Sequence, residues 1–195
     1  LNVSAVSTGG LSNGLSINVN DGGINASSLN VAGAPVNLSS TAGITVGTLT
    51  GGSAYIQADG AVNIGTVTTT GNAGITINAG SCQNGNNVAC TASSPIIAGT
   101  LNAGGTGSVG LYASDNGNVS VTNLSAGRDI SVSVGNVYDT TPGYPYTSQP
   151  TNNDILLGTV VLGRNLFISH QGQGNVALTS LSAAGSVYIS AGNSY

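Results

Sequence analysis

The chain has 195 residues, with two basic residues (Arg128 and Arg164), six Asp, no Glu and no Lys, for a formal net charge of −4. So little positive charge leaves no segment able to grip a nucleic-acid backbone; no apolar run approaches the ~20 residues that span a bilayer; and abundant Gly and β-branched residues disfavour helices. Hydrophobic residues make up 39% of the chain and are regularly placed, which separates it from disordered sequences of low charge.

In chain order, the first predicted element is a strand pair built on Leu1, Val3 and Val6, then Leu15 and Ile17. Leu1 already reads as a strand residue. With neither an initiator Met nor a signal peptide, the sequence reads as a piece of a longer chain or a processed product. The same arrangement returns at Ile24, Ala26, Leu29, Val36 and Leu38, and again at Ile44, Val46, Leu49, Ala54 and Ile56. It continues at Val62, Ile64, Val67, Ile75 and Ile77, and at Ile96, Ala98, Leu101, Val109 and Leu111. The last three copies share one spacing, with apolar residues at offsets 0, 2, 5, 11 and 13. These are Val119, Val121, Leu124, Ile130 and Val132; Ile155, Leu157, Val160, Leu166 and Ile168; and Val176, Leu178, Leu181, Val187 and Ile189. The five earlier copies slip by one to three residues at the central turn only.

Two apolar residues two apart place both side chains on one face of a strand. The third lies past a bend and points inward from another face. Glycine follows eight or nine positions after the start of each copy, at Gly10, Gly33, Gly52, Gly71, Gly105, Gly127, Gly163 and Gly185. A tight turn with positive φ is the expected reason. One unit cannot bury its own apolar residues, but stacked units can, by aligning Val, Ile and Leu in columns inside a coil. The expected fold is all-β: a parallel β-helix (β-solenoid) of about eight coils of 18 to 23 residues, with residues 1–195 as a single segment. At about 4.8 Å per coil the rod is roughly 40 Å long. An up-and-down barrel would need longer alternating strands joined by hairpin turns.

The string NVSVTNLSAGRDISVSVG, residues 118–135, resembles the repeats of filamentous haemagglutinin-like exoproteins secreted by the two-partner route. ALTSLSAAGSVYISAG and AVNIGTVTTTGNAGITINAG look like degenerate versions, and AGRDI between apolar pairs is fairly specific. The resemblance covers most of the chain. It implies a right-handed parallel β-helix and export through an outer-membrane two-partner transporter. It also implies an extracellular place on the bacterial cell surface, with roles in adhesion, aggregation, biofilm or contact-dependent inhibition. The family's secretion domain and toxin domains are not recognisable here.

Two loop insertions, near residues 80–95 and 136–154, interrupt the repeat. Both leave from the same corner, two coils apart, and are expected on one side of the rod within roughly 10 Å of each other. The first holds the only cysteines, Cys82 and Cys90. In an exported protein they are expected to close a disulfide; in a reduced compartment they would be free thiols. Two Cys alone lack the ligands of a zinc site. The second holds Tyr138, Tyr144 and Tyr146 with Pro142, Pro145 and Pro150. Proline stiffens a loop and tyrosine offers amphipathic contact area for glycans or proteins; alternatively the rings lie on the flank of the rod and cover it.

No residue set supports catalysis, metal binding or a cofactor. His170, the only histidine, lies in FISHQGQGN, where an exposed turn is expected, and no nucleophile elbow surrounds any Ser. Asp21, Asp59 and Asp115 fall in turns between copies, where Asp bonds the backbone. A polysaccharide-cleaving enzyme would need paired acids on one face, and none is visible. Arg128 and Arg164 share an offset in successive copies, so they are expected to stack with Asp129 relieving their repulsion, either as a structural ladder or as a shallow anion contact. The leading functional expectation is the shaft or adhesive segment of a surface adhesin. Its partners would be host or neighbouring-cell glycans or proteins, or the producer's own exopolysaccharide. The second is a self-assembling filament subunit that stacks end to end.

Overall fold

The computed structural model describes residues 1–9, 14–80, 93–114, 117–135, 137–138, 148–149 and 152–192. Coil 1 comprises β1 (Asn2–Thr8) and β2 (Leu15–Val19), and coil 2 comprises β3 (Ile24–Val31) and β4 (Pro35–Ser40). In coils 3 and 4 the strand runs unbroken through the central corner as β5 (Ile44–Ala58) and β6 (Val62–Ala79). Coil 5 is β7 (Ile96–Ala103) and β8 (Val109–Ala113), and coil 6 is β9 (Val119–Ala126) and β10 (Ile130–Val134). Between coils 6 and 7, β11 (Val137–Tyr138) pairs antiparallel with β12 (Ser148–Gln149). Coil 7 is β13 (Ile155–Leu162) and β14 (Leu166–His170), and coil 8 is β15 (Val176–Ala183) and β16 (Val187–Ala191). No helix occurs among the described residues.

The coils stack as a parallel β-solenoid. The first strand segment of each coil pairs with that of the next, in the order β1, β3, β5, β6, β7, β9, β13, β15. The second segments form a matching ladder, β2, β4, β5, β6, β8, β10, β14, β16. Each ladder thus has eight rungs and seven steps. Within both ladders the pairing is all parallel, which excludes the up-and-down barrel. Register follows the sequence repeat residue for residue: Ile24 lies on Ile44, Ile44 on Val62, Val62 on Ile96 and Ile96 on Val119.

The first ladder bends within each rung. In β3, Ile24 and Ala26 are buried, two successive residues (Ser27 and Ser28) turn outward, and Leu29 and Val31 are buried again. Two outward residues in a row shift the strand's alternation of faces, so the third apolar residue of every copy enters from a second side. With the second ladder as a third side, the columns enclose one apolar interior of Val, Ile, Leu and Ala. Ile24, Leu38, Ile44, Ile56, Ile77 and Leu111 are all fully buried. Each such side chain contributes about 1.5–3 kcal/mol by leaving water.

The turn glycines depart from expectation. Among the described glycines of this turn, Gly33 and Gly105 alone have positive φ, 70° and 59°. At Gly52, Gly71, Gly127, Gly163 and Gly185 the reason is close approach: a Cβ there would collide with a backbone carbonyl oxygen of the preceding coil. The same corner carries the stacking hydrogen bonds, with the amides of Gly52, Gly127 and Gly163 donating to the carbonyls of Ala34, Ala103 and Ala126 at 2.7, 3.0 and 3.1 Å. Gly10 lies outside the described residues.

Interior positions of the first and last coils are more exposed than those between them. Leu1 in the first coil is 56% exposed, and Leu181, Val187 and Ile189 of the last coil are 39%, 42% and 50% exposed. Their counterparts one or two coils inward are buried.

Candidate functional site

Arg128 and Arg164 stack at the corner between the two ladders, as their shared offset predicts. The Arg164 amide donates to the Arg128 carbonyl at 2.8 Å. Asp129 lies between the guanidinium groups, its Oδ2 3.3 Å from Arg128 Nε and its Oδ1 3.5 Å from Arg164 Nε. Asp129 Oδ1 also accepts the backbone and side-chain N–H groups of Asn165 at 3.1 and 3.2 Å. One carboxylate therefore serves two cations and ties coil 6 to coil 7. Both arginine side chains remain about half exposed, 52% and 53%, so solvent screens the pairs and each contributes little to stability. The group carries one net positive charge.

Asp129 belongs to a wider device. Ser108 Oγ accepts the Asp129 amide at 3.3 Å, Asp129 accepts that of Asn165, and Asn165 Oδ1 accepts that of Ser186 at 3.0 Å. At the corner between coils, Asn118 Oδ1 accepts the Asp154 amide at 2.8 Å and Asp154 Oδ1 accepts the Asn175 amide at 2.7 Å. Each short polar side chain reaches one coil onward to satisfy a backbone donor that the turn leaves free. Both acids have structural partners, and no group of three or more His, Cys, Asp or Glu occurs among the described residues.

His170 is not in an exposed turn. It is the last residue of β14, and parallel pairing stacks it on Val134 and under Ala191 in an inward column. It is 2% exposed, and its Nε2 is bonded to the carbonyl of Asn153 at 2.5 Å. The strand runs one alternation further than its apolar residues signal, which turns the imidazole inward. Its Nδ1 and Asn153 Nδ2 are buried and find no partner among the described residues.

Cys82, Cys90, Tyr144, Tyr146 and Asp115 lie outside the described residues, as does the side chain of Tyr138, whose backbone is in β11. The insertion exits can be located. The ladder stacks Ala79 on Ala113 and Ala113 on Val134, so Gly80 and Gly135 leave one corner two coils apart.

The sequence reading did not single out the exposed rings on the second ladder. Tyr55, Tyr112, Phe167 and Tyr188 are 42%, 41%, 42% and 56% exposed. Tyr55, Phe167 and Tyr188 each sit between the two members of an inward apolar pair, and that position must face outward. This signal was available once the pairs were recognised. Tyr55 Oη donates to Gln57 Oε1 at 2.8 Å, so its ring leans along its own strand. The Tyr112 ring lies against Gly110, within about 3 Å of where a Cβ would project. Phe167 and Tyr188 stack with ring centroids 5.2 Å apart and planes 4° from parallel.

Comparison with protein-family models, with curated proteins and with solved structures found no match.

Proposed function

We propose that this chain is a shaft and adhesive segment of a secreted bacterial surface protein of the filamentous haemagglutinin-like kind, supporting cell attachment, aggregation or biofilm. The observation that carries the reading is the continuous parallel stacking of eight rungs in both ladders, with a register shift only at the corner between them near Gly51 and Ser53. A solenoid of this kind is stiff along its axis, because every coil is hydrogen-bonded to the next and shares one apolar interior with it. Its broad outer faces are mostly Ser, Thr, Asn and Gly. Such a body suits holding a surface away from a cell and presenting contacts along its length. His170 is buried, and Asp129 and Asp154 are engaged in hydrogen bonds between coils. Partners of this reading are host or neighbouring-cell glycans or proteins and the producer's own exopolysaccharide. A two-partner transporter would serve in export.

The test is attachment of the folded chain to host cells and to the producer's polysaccharide, with and without residues 136–154. Saturable binding supports the reading. Loss of binding on deletion, with the rod still folded, assigns recognition to the tyrosine-rich insertion. Absence of binding by the intact chain overturns the adhesive role.

A second reading is end-to-end self-association of this segment. Unpaired strand edges beside exposed Leu181, Val187 and Ile189 form a surface on which another coil can stack. End-to-end assembly into a filament would cover them.

A further inference from the structure

We infer that the outer surface of the second ladder is a platform for an extended, uncharged, β-1,4-linked polysaccharide lying along the rod, with its rings as successive contact points. The inference rests on the adhesive reading and names its ligand class.

The rings occur at regular heights. Parallel pairing stacks Tyr55 on Thr76, Thr76 on Gly110, Gly110 on Ser131, Ser131 on Phe167 and Phe167 on Tyr188. Gly110 has no side chain, and the Tyr112 ring from the same strand fills its place. This outward column therefore carries Tyr55 in coil 3, whose ring tilts along its strand toward Gln57, the Tyr112 ring in coil 5 and Phe167 in coil 7, the last doubled by Tyr188 in coil 8. The intervening coils show Thr76 and Ser131, which are too small to interrupt a chain lying across them. Two rungs amount to roughly 9.6 Å. That is commensurate with the two-residue repeat of an extended β-1,4-linked chain, in which every second sugar presents the same face. Rings at this interval would meet equivalent apolar sugar faces, and the hydroxyls and amides between them can bond the sugar edges.

Charge supports the choice of an uncharged ligand. The strand segments of this ladder contain no Asp and no Arg, and their one histidine points inward. The nearest cations, Arg128 and Arg164, lie at the corner with Asp129 between them. An uncharged chain can replace water over this face without stripping any ion of its hydration. Gly110 carries a second point: glycine weakens a strand interior and often marks close approach of another group, and here it lets the Tyr112 ring lie low, in line with the rest of the column.

The experiment measures binding of the full chain to cellohexaose and chitohexaose by calorimetry and to insoluble cellulose and chitin by depletion, with polygalacturonate as the charged comparison. Saturable binding to an uncharged probe is expected, together with an affinity loss of about three- to tenfold for each of Tyr55→Ser, Tyr112→Ser and Phe167→Ser. These side chains are exposed, so circular dichroism should be unchanged. The double variant Tyr112→Ser/Ser131→Tyr keeps the ring count but moves one ring by a single rung. It should bind as weakly as Tyr112→Ser alone. Ring variants that bind like the native chain, a shifted ring that restores affinity, or preference for polygalacturonate would each overturn the inference. If no uncharged probe binds while the native chain still attaches to cells, this inference fails and the adhesive reading stands. If the native chain attaches to nothing, both fail.

Discussion

At the scale of single residues, the two arginines illustrate how a solenoid uses charge. They are the only trypsin sites in the chain, and both sit where backbone hydrogen bonds hold the turn. The Arg128 amide donates to the Gly107 carbonyl at 3.1 Å, and the carbonyls of Arg128 and Arg164 accept the amides of Arg164 and Gly185 at 2.8 and 2.7 Å. A protease must draw the chain into an extended form, which here requires breaking contacts to two neighbouring coils. Trypsin is therefore expected to leave the folded rod intact under conditions that cut the urea-unfolded chain at both sites, read by mass spectrometry. Cleavage after Arg128 or Arg164 in the folded rod would show that these corners open locally. His170 carries the opposite lesson. Its neighbours in sequence read as a turn, but its neighbours in the column are Val134 and Ala191, and the column decides that it is buried.

At the scale of the element, the central corner sets what each coil tolerates. Positive φ explains only two of its glycines; the others are fixed by the carbonyl of the coil beneath. Gly127→Ala and Gly163→Ala should each lower stability by about 1–3 kcal/mol, the usual cost of forcing a methyl group into a filled space. Gly135→Ala is the matched control, since a Cβ there meets nothing within 4 Å among the described residues, and it should be close to neutral. Chemical denaturation monitored by circular dichroism separates these outcomes; equal loss at Gly135 would refute the close-approach explanation. The five apolar positions per copy were legible because two apolar residues two apart can share only one face, and all eight copies fall into the ladders at the expected register. The inward positions at the end of each ladder segment were not legible. Although Val31, Val134 and Leu162 occupy them in three segments, others hold Ala58, Ala79, Ala103, Ala113, Ser40 and Thr69, which carry too little hydrophobic signal for the column to show as a repeat. Ser40 shows how a polar residue is accommodated there: its Oγ donates to the Gly22 carbonyl at 2.7 Å and accepts the Ala42 amide at 3.1 Å.

At the scale of the whole molecule, the repeat fixes a rod of stacked coils. Burial is complete in the middle coils and partial in the first and last, because each coil depends on a neighbour on either side. If the ends stack on one another, sedimentation velocity should show association that grows with concentration. Ile189→Asp, which places a charge on the exposed end of the interior, should suppress it. A native chain that stays monomeric at all concentrations would discard the filament reading. The long faces, by contrast, do not depend on the ends, so ring-dependent glycan binding and end-to-end association are separable in one preparation.

The sequence by itself determined the class of fold, the number of coils, the inward identity of the strongly apolar positions and the stacking of Arg128 on Arg164. All of these follow from periodicity, since a unit of about twenty residues that cannot bury its own apolar side chains must stack in register. Only the tertiary structure decided why the corner glycines are needed, where His170 points and that the rings form one column. These depend on which residue lies one coil away, 18 positions along the chain between Ile44 and Val62 but 36 between Val119 and Ile155. The interval varies because turns slip and insertions intervene. Tyr112 joins the column from a different position in its strand, so no fixed spacing in the sequence reveals the alignment that backbone hydrogen bonding imposes.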